Sequence, residues 1–269
     1  MTLPLLLLGT IASAQLTLYW RSGGRLETVA LMASLSWLGG ALLLADAGEP
    51  VPVRRRTWAL GLAGLAWSLL VLTNTARLYD PLLHLLPLVV LPALGLVGGV
   101  PLRSRALVDL VAMGLLLPLQ LLLTRLLPLL PLARTTAELS AFLVWLSGGS
   151  ALADGVAVRL PERTLVVGAS CTGAETLSLC LAGLVMLALL FPLPCLQRHR
   201  GRGLLLLGGL SLGAAFVLNG LRVAVLALTP ANAFGFWHDG GGSHLFAMAS
   251  LAVLVAAYLA LTEWSLRQS

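Results

Sequence analysis

The chain reads as an all-α polytopic membrane protein of about eight transmembrane helices, with a short extracytoplasmic hairpin and interfacial segment before the sixth. Three observations predict this. Of its 269 residues 58% are hydrophobic and only 10% charged, at a mean hydropathy of +0.96, whereas a soluble domain carries about a quarter charged residues. The apolar residues fall in blocks of roughly 17 to 22, the length that crosses a hydrocarbon core as a helix. Between two such blocks, positions 126–170 are punctuated by proline, glycine and charge, which a lipid-exposed span does not tolerate.

The blocks run near 3–19, 28–45, 58–74, 82–100, 106–124, 171–191, 204–226 and 245–261. The first contains Ala12-Ser13-Ala14, which resembles a signal-peptidase site, but its first charge, Arg21, follows the apolar run. With no basic region ahead of it, we read a retained first helix. The division we expect is 1–125 as N-terminal transmembrane helices and 126–269 as a C-terminal core. In that core an interfacial segment, 126–170, precedes helices 171–191, 204–226 and 245–261. Within the segment, Pro128, Pro131, Arg134 and Glu138 lead into a moderately apolar helix near 136–147, followed by Gly148-Gly149. Val156, Val158 and Leu160 then alternate ahead of Pro161-Glu162, the pattern of a short hairpin.

The net charge of +6 comes from arginine alone, since the sequence has no lysine. With eight spans and 126–170 outside, Arg54, Arg55, Arg56, Arg103, Arg105, Arg198, Arg200, Arg202 and Arg267 all face the cytoplasm. The short outer loops keep Arg21, Arg25 and Arg77. The positive-inside bias therefore favours eight spans with both termini inside; a ninth span at 136–152 would move Arg54–Arg56 outside. The 126–170 segment and the reactive residues beside it are then expected on the extracytoplasmic side. No basic stripe is interleaved with aromatics, so no nucleic-acid partner is expected. Cys171, Cys180 and Cys195 make an odd count without CxxC spacing, which suggests neither a disulfide framework nor a zinc site. No metal or cofactor is expected.

Four residues of reactive type converge on the outer face under this topology. Cys171, in Gly168-Ala-Ser-Cys-Thr-Gly173, opens the sixth helix, where the positive end of the helix dipole favours a thiolate. An ordinary buried cysteine among small residues fits the same letters, and Cys180 and Cys195 are read that way. Arg222 shares a helix face with Asn219, and a guanidinium within an apolar run faces a polar cavity, a partner or the headgroups. Its planar fork suits a carboxylate or a developing oxyanion. Glu175, one turn below Cys171, is either its salt-bridge partner or a structural carboxylate. His244 stands at the start of the last helix and His238 in the glycine-rich loop before it. Either imidazole suits the proton transfers of thiol chemistry, with Asp239 able to orient a ring. His84 and His199 lie elsewhere.

These residues carry a pattern. Cys171-Thr172-Gly173, Asn219-Gly220-Leu221-Arg222-Val223 and Ser243-His244-Leu245 resemble the C-[ST]-G, N-x-x-R-V and helix-starting histidine of the exosortase/archaeosortase family. The passage Trp237-His238-Asp239-Gly240 to Gly242-Ser243 is similar to the cyanobacterial branch, the cyanoexosortases. The motif-bearing likeness covers about 135–262; upstream only the hydropathy agrees. Thr172 stands where serine is commoner in the family. The resemblance implies a cysteine peptidase/transpeptidase acting on exported proteins whose C-terminal signal is a Pro-Glu-Pro-like (PEP-CTERM) motif, a transmembrane helix and a basic tail. It also implies a bacterial inner membrane as the setting. Cys171 would form a thioester, Arg222 would polarise the carbonyl or bind the signal, and His244, with His238 as alternative, would shuttle the proton. Asn219 and Glu175 are secondary substrate-binding candidates. The rival class is a membrane scaffold or small transporter in which Arg222 binds an anionic solute. Metalloprotease and paired-aspartate intramembrane signatures are not found in the sequence, and the acidic clusters usual in lipid or glycan transferases are missing.

Overall fold

The computed structural model describes residues 2–21, 27–47, 55–75, 81–191, 196–238 and 240–267. It is helical throughout except for one small sheet, as an all-α polytopic membrane protein should be. Cys195, Asp239, Arg25, Arg54 and Arg77 lie outside the described residues. The chain divides into two compact units: Met1–Leu122 with Val185–Phe191, and Leu123–Leu184 with Pro192–Ser269.

The first unit contains α1 (Thr2–Trp20), α2 (Glu27–Ala45), α3 (Arg55–Asn74), α4 (Pro81–His84), α5 (Leu86–Val97) and most of α6 (Arg105–Leu126). Three of these, α1, α2 and α3, match the first three apolar blocks, but the fourth block is broken. Pro87, at the start of α5, lacks the N–H that would continue the α4 turn, and Pro92 lies inside the helix. What remains is a four-residue turn and a 12-residue helix in place of one span over 82–100. One cluster of buried polar groups in this unit is mutually satisfied. Gln15 Nε2 donates to the Tyr19 hydroxyl at 3.0 Å and to the Leu83 carbonyl at 2.5 Å, while its Oε1 accepts from the Trp37 indole at 2.8 Å. His84 is buried against the Tyr19 ring, centroids 5.6 Å apart, and so has a packing role here. Asp109 pairs with Arg105 at 2.9 Å on one face of α6.

The second unit holds α7 (Leu129–Leu146), the strands β1 (Leu152–Asp154), β2 (Ala157–Arg159) and β3 (Thr164–Val166), then most of α8 (Ala174–Leu190), α9 (Leu196–Leu228), α10 (Phe234–His238) and α11 (Gly241–Leu266). Here α7 starts seven residues earlier than the helix expected near 136–147. Pro131 falls in its first turn, where no intrahelical acceptor is lost, so the proline that seemed to delay the helix is accommodated. With 18 residues, α7 is apolar and long enough to cross a membrane, one of seven such helices among the described residues; α5 and α8 are shorter apolar helices. At 33 residues α9 is about 50 Å long, longer than a hydrocarbon core of about 30 Å requires.

The expected hairpin is a three-stranded antiparallel sheet in the order β1-β2-β3. Gly155, at φ +60°, supplies the first position of the two-residue turn between β1 and β2, the primed geometry that matches strand twist. Alternation holds: Val158 is fully buried, and Val156 and Leu160 pack against the same core. That core joins one face of α7 (Ala133, Ala137, Ala141, Val144) to Val167, Cys171 and the Val223–Ala227 stretch of α9. Small residues let α7 and α9 approach closely. A Cβ on Gly220 would lie 2.5 Å from Leu139 Cδ2, and the Ser140 hydroxyl sits 3.0 Å from the Gly220 carbonyl.

Candidate active site

Cys171 does not open α8 itself. It ends a 3-10 turn, Ala169–Cys171, held by the bond from its N–H to the Gly168 carbonyl at 2.9 Å. Gly173 follows at φ +82°, and its carbonyl accepts the first helical bond, from Leu177 N–H at 2.9 Å, so α8 begins three residues after the cysteine. Helix geometry cannot run through a left-handed residue, which is why the C-T-G letters give a turn and a cap. Thr172 supports the junction: its hydroxyl donates to the Ala169 carbonyl at 2.8 Å, and its Oγ1 lies 3.4 Å from the Ala174 N–H. The Thr136 hydroxyl of α7 bonds the Thr172 carbonyl at 3.3 Å. Cys171 is 3% exposed in the α7–α9 core, with Trp237 and Phe234 of α10 packed against that cluster.

Asn219 ties the turn to α9. Its Nδ2 donates to the Cys171 carbonyl at 2.9 Å, while its Oδ1 is buried with no partner among the described residues. The approach explains the motif glycine as well. A Cβ on Gly173 would stand 2.7 Å from Asn219 Cγ and Nδ2. Gly173→Ala therefore meets two costs, a left-handed backbone of roughly 1–2 kcal/mol and displacement of the Asn219 amide. We expect a lower melting temperature in detergent together with loss of activity; a variant that melts like the wild type would show that the close approach is not the reason for glycine.

Arg222 is 9% exposed, one helical turn beyond Asn219. Its Nε donates to the Trp237 carbonyl at 3.4 Å and its Nη2 to the His238 carbonyl at 2.5 Å. These are the last carbonyls of α10, so the guanidinium caps that short helix. Among the described residues no carboxylate pairs with it, and its Nη1 has no partner. Glu175, offered above as a salt-bridge partner, is exposed in the first turn of α8. His238 is half-buried and stacked on Phe234, centroids 5.2 Å apart. His244 lies in the first turn of α11 with an exposed side chain. Cys171, Asn219, Arg222 and the His238 backbone are thus linked through hydrogen bonds and one packed cluster.

Sequence reading missed Arg163. Its Nε donates to the Ala227 carbonyl at 2.8 Å and its Nη2 to the Leu226 carbonyl at 3.1 Å, with a further bond to Ala227. It caps α9 as Arg222 caps α10, and fastens the β2–β3 turn to the end of the helix that carries Asn219 and Arg222. The only hint in the letters was a basic residue beside Pro161-Glu162.

A family model described as transmembrane exosortase matches residues 20–255. The chain belongs to the transmembrane exosortase family. Members of this family are membrane-embedded proteases or transpeptidases that act on exported proteins bearing sorting signals. This chain is accordingly a multi-pass membrane protein. No curated protein and no solved structure matches it.

Proposed function

We infer that this exosortase cleaves the C-terminal PEP-CTERM-like signal of exported proteins as a cysteine transpeptidase, on the extracytoplasmic side of a bacterial inner membrane. The observation that carries the reading is that Asn219 of α9 bonds the Cys171 carbonyl while Arg222, one turn further along the same helix, holds the Trp237 and His238 carbonyls. The Cys171 thiolate attacks the scissile carbonyl, and the tetrahedral oxyanion draws on the Arg222 fork, whose Nη1 is uncommitted. Collapse breaks the C–N bond; the histidine gives the departing amine its proton and the transmembrane helix with its basic tail leaves. An acceptor amine, or water, then attacks the thioester, returning the proton to the histidine and the sulfur to thiolate. The buried acceptor Asn219 Oδ1 suits a substrate N–H, and exposed Glu175 is the secondary candidate for contact with the signal.

The test is co-expression with a sorting-signal protein, comparing wild type and Cys171→Ala by intact mass. Unchanged processing in the variant overturns the mechanism. We assign the acid/base role to His244 and keep His238 as the alternative, which the bond between Arg222 and its carbonyl favours. His244→Gln should lower turnover about a hundredfold, in the range of a lost general acid–base, and His238→Gln less than tenfold. The reverse order transfers the role to His238.

A further inference from the structure

The β2–β3 ladder fixes which backbone groups are free. The Val167 N–H bonds the Val156 carbonyl and the Leu160 N–H bonds the Arg163 carbonyl, each at 2.8 Å. The register between them pairs Ala157 with Val166, Val158 with Leu165 and Arg159 with Thr164. Bonded and non-bonded pairs alternate in an antiparallel ladder, so Val158–Leu165 is bonded, while Thr164 and Val166 turn their N–H and C=O groups away from β2. No strand lies on that side among the described residues. The opposite edge differs in charge: β1 is also exposed along its length, but its Asp154 is ion-paired with Arg159 of β2. By contrast Thr164, Leu165 and Val166 bring no charge or proline, the devices that blunt an edge. Cys171 follows Val166 by five positions, and the intervening Val167 is buried in the same cluster as Cys171.

We propose that the free edge of β3 binds the extended segment of the substrate as a fourth strand, parallel to β3, so that its C-terminal end arrives at Cys171. This rests on the reading that Cys171 acylates an exported protein at its sorting signal. Such a signal runs from an extended motif into an apolar helix, and the enzyme's own chain runs from β3 through the Cys171 turn into the apolar α8. Two segments of the same strand-to-helix order lie side by side only when parallel. Main-chain bonds to Thr164 and Val166 then give affinity with little dependence on sequence, as in other strand additions.

A matched proline pair tests this, with a probe made of a soluble reporter followed by a Pro-Glu-Pro motif, an apolar helix and an arginine tail. Val166→Pro removes an outward N–H and leaves the β2 ladder intact. Ala153→Pro does the same on the β1 edge, because the Asp154–Ala157 pair closing a two-residue turn is bonded and Ala153 faces outward. Losing a strand-addition bond and crowding the edge should lower kcat/KM about tenfold for Val166→Pro, through KM, and less than about twofold for Ala153→Pro. Equal behaviour of the two variants overturns the proposal. Disulfide trapping reads docking without catalysis, in a background of Cys171→Ser and Cys195→Ser. Thr164→Cys and Val166→Cys should each capture a single cysteine in the extended segment, the partner of 166 lying two residues nearer the scissile bond. Absent or reversed capture overturns the edge, whereas the separate Cys171→Ala result decides the acyl-enzyme reading.

Discussion

Cys171→Ala is expected to stop processing of a co-expressed sorting-signal protein, by about a thousandfold or more, since a lost nucleophile leaves only the oxyanion site and binding. The protein should still accumulate in the membrane. A buried cysteine replaced by alanine loses one sulfur's packing, about 1 kcal/mol on a per-group scale, and the Asn219 bond goes to the Cys171 main-chain carbonyl, which the variant keeps. Intact mass of the reporter with and without its helix and tail measures the outcome directly. A transporter or scaffold, the rival class, would be indifferent to this change, and a thiol-blocking reagent would leave it equally unaffected. Full processing by the variant would therefore leave the family membership and the fold standing and remove the thiol from the chemistry.

Arg222→Lys carries the second large effect. The wild-type fork serves two carbonyls, of Trp237 and His238, and among the described residues its Nη1 has no partner. An ammonium is a point donor that cannot span both carbonyls while presenting a third N–H in the same plane. Loss of a positioned oxyanion donor lowers turnover by about a hundredfold to a thousandfold, and we expect a fall in that range. Stability should drop by about 1–3 kcal/mol, the cost of leaving buried carbonyls unsatisfied, seen as a lower melting temperature in detergent. Arg222→Ala should be worse on both counts. If Arg222→Lys instead lowers stability and leaves kcat near wild type, the guanidinium acts only as the cap of α10, and the oxyanion donor lies elsewhere.

The two arginine caps show how the site depends on groups distant in sequence. Arg163 holds the end of α9 from the turn before β3, 64 positions away, and Arg222 holds the end of α10. Each cap satisfies carbonyls that an apolar surrounding would otherwise leave exposed to desolvation. The same logic places Asn219 against the Cys171 turn, which explains why a glycine follows the C-T pair, while the glycine after Asn219 is set by the approach of α7. Neither glycine is there for flexibility alone; each leaves room for a neighbour, Asn219 in one case and Leu139 in the other.

Hydropathy made the membrane class, most of the spans and the strand-bearing insertion legible, because burial in lipid acts on each block of residues independently of its neighbours. Local letters also marked the hairpin turn at Pro161-Glu162, whereas the turn at Gly155 and the added strand β1 came from the structure. What they could not give was the break between α4 and α5, the early start of α7, or the short helix α10 in place of a plain glycine-rich loop. In the first two the outcome turned on where a proline fell relative to a helix's first turn. The third required a cap from Arg222, a residue on another helix. Which side chain bonds which carbonyl is a long-range matter: the donors of Arg163, Asn219 and Arg222 are strong wherever they sit, and only the packing of α7, α9 and the sheet decides what they meet.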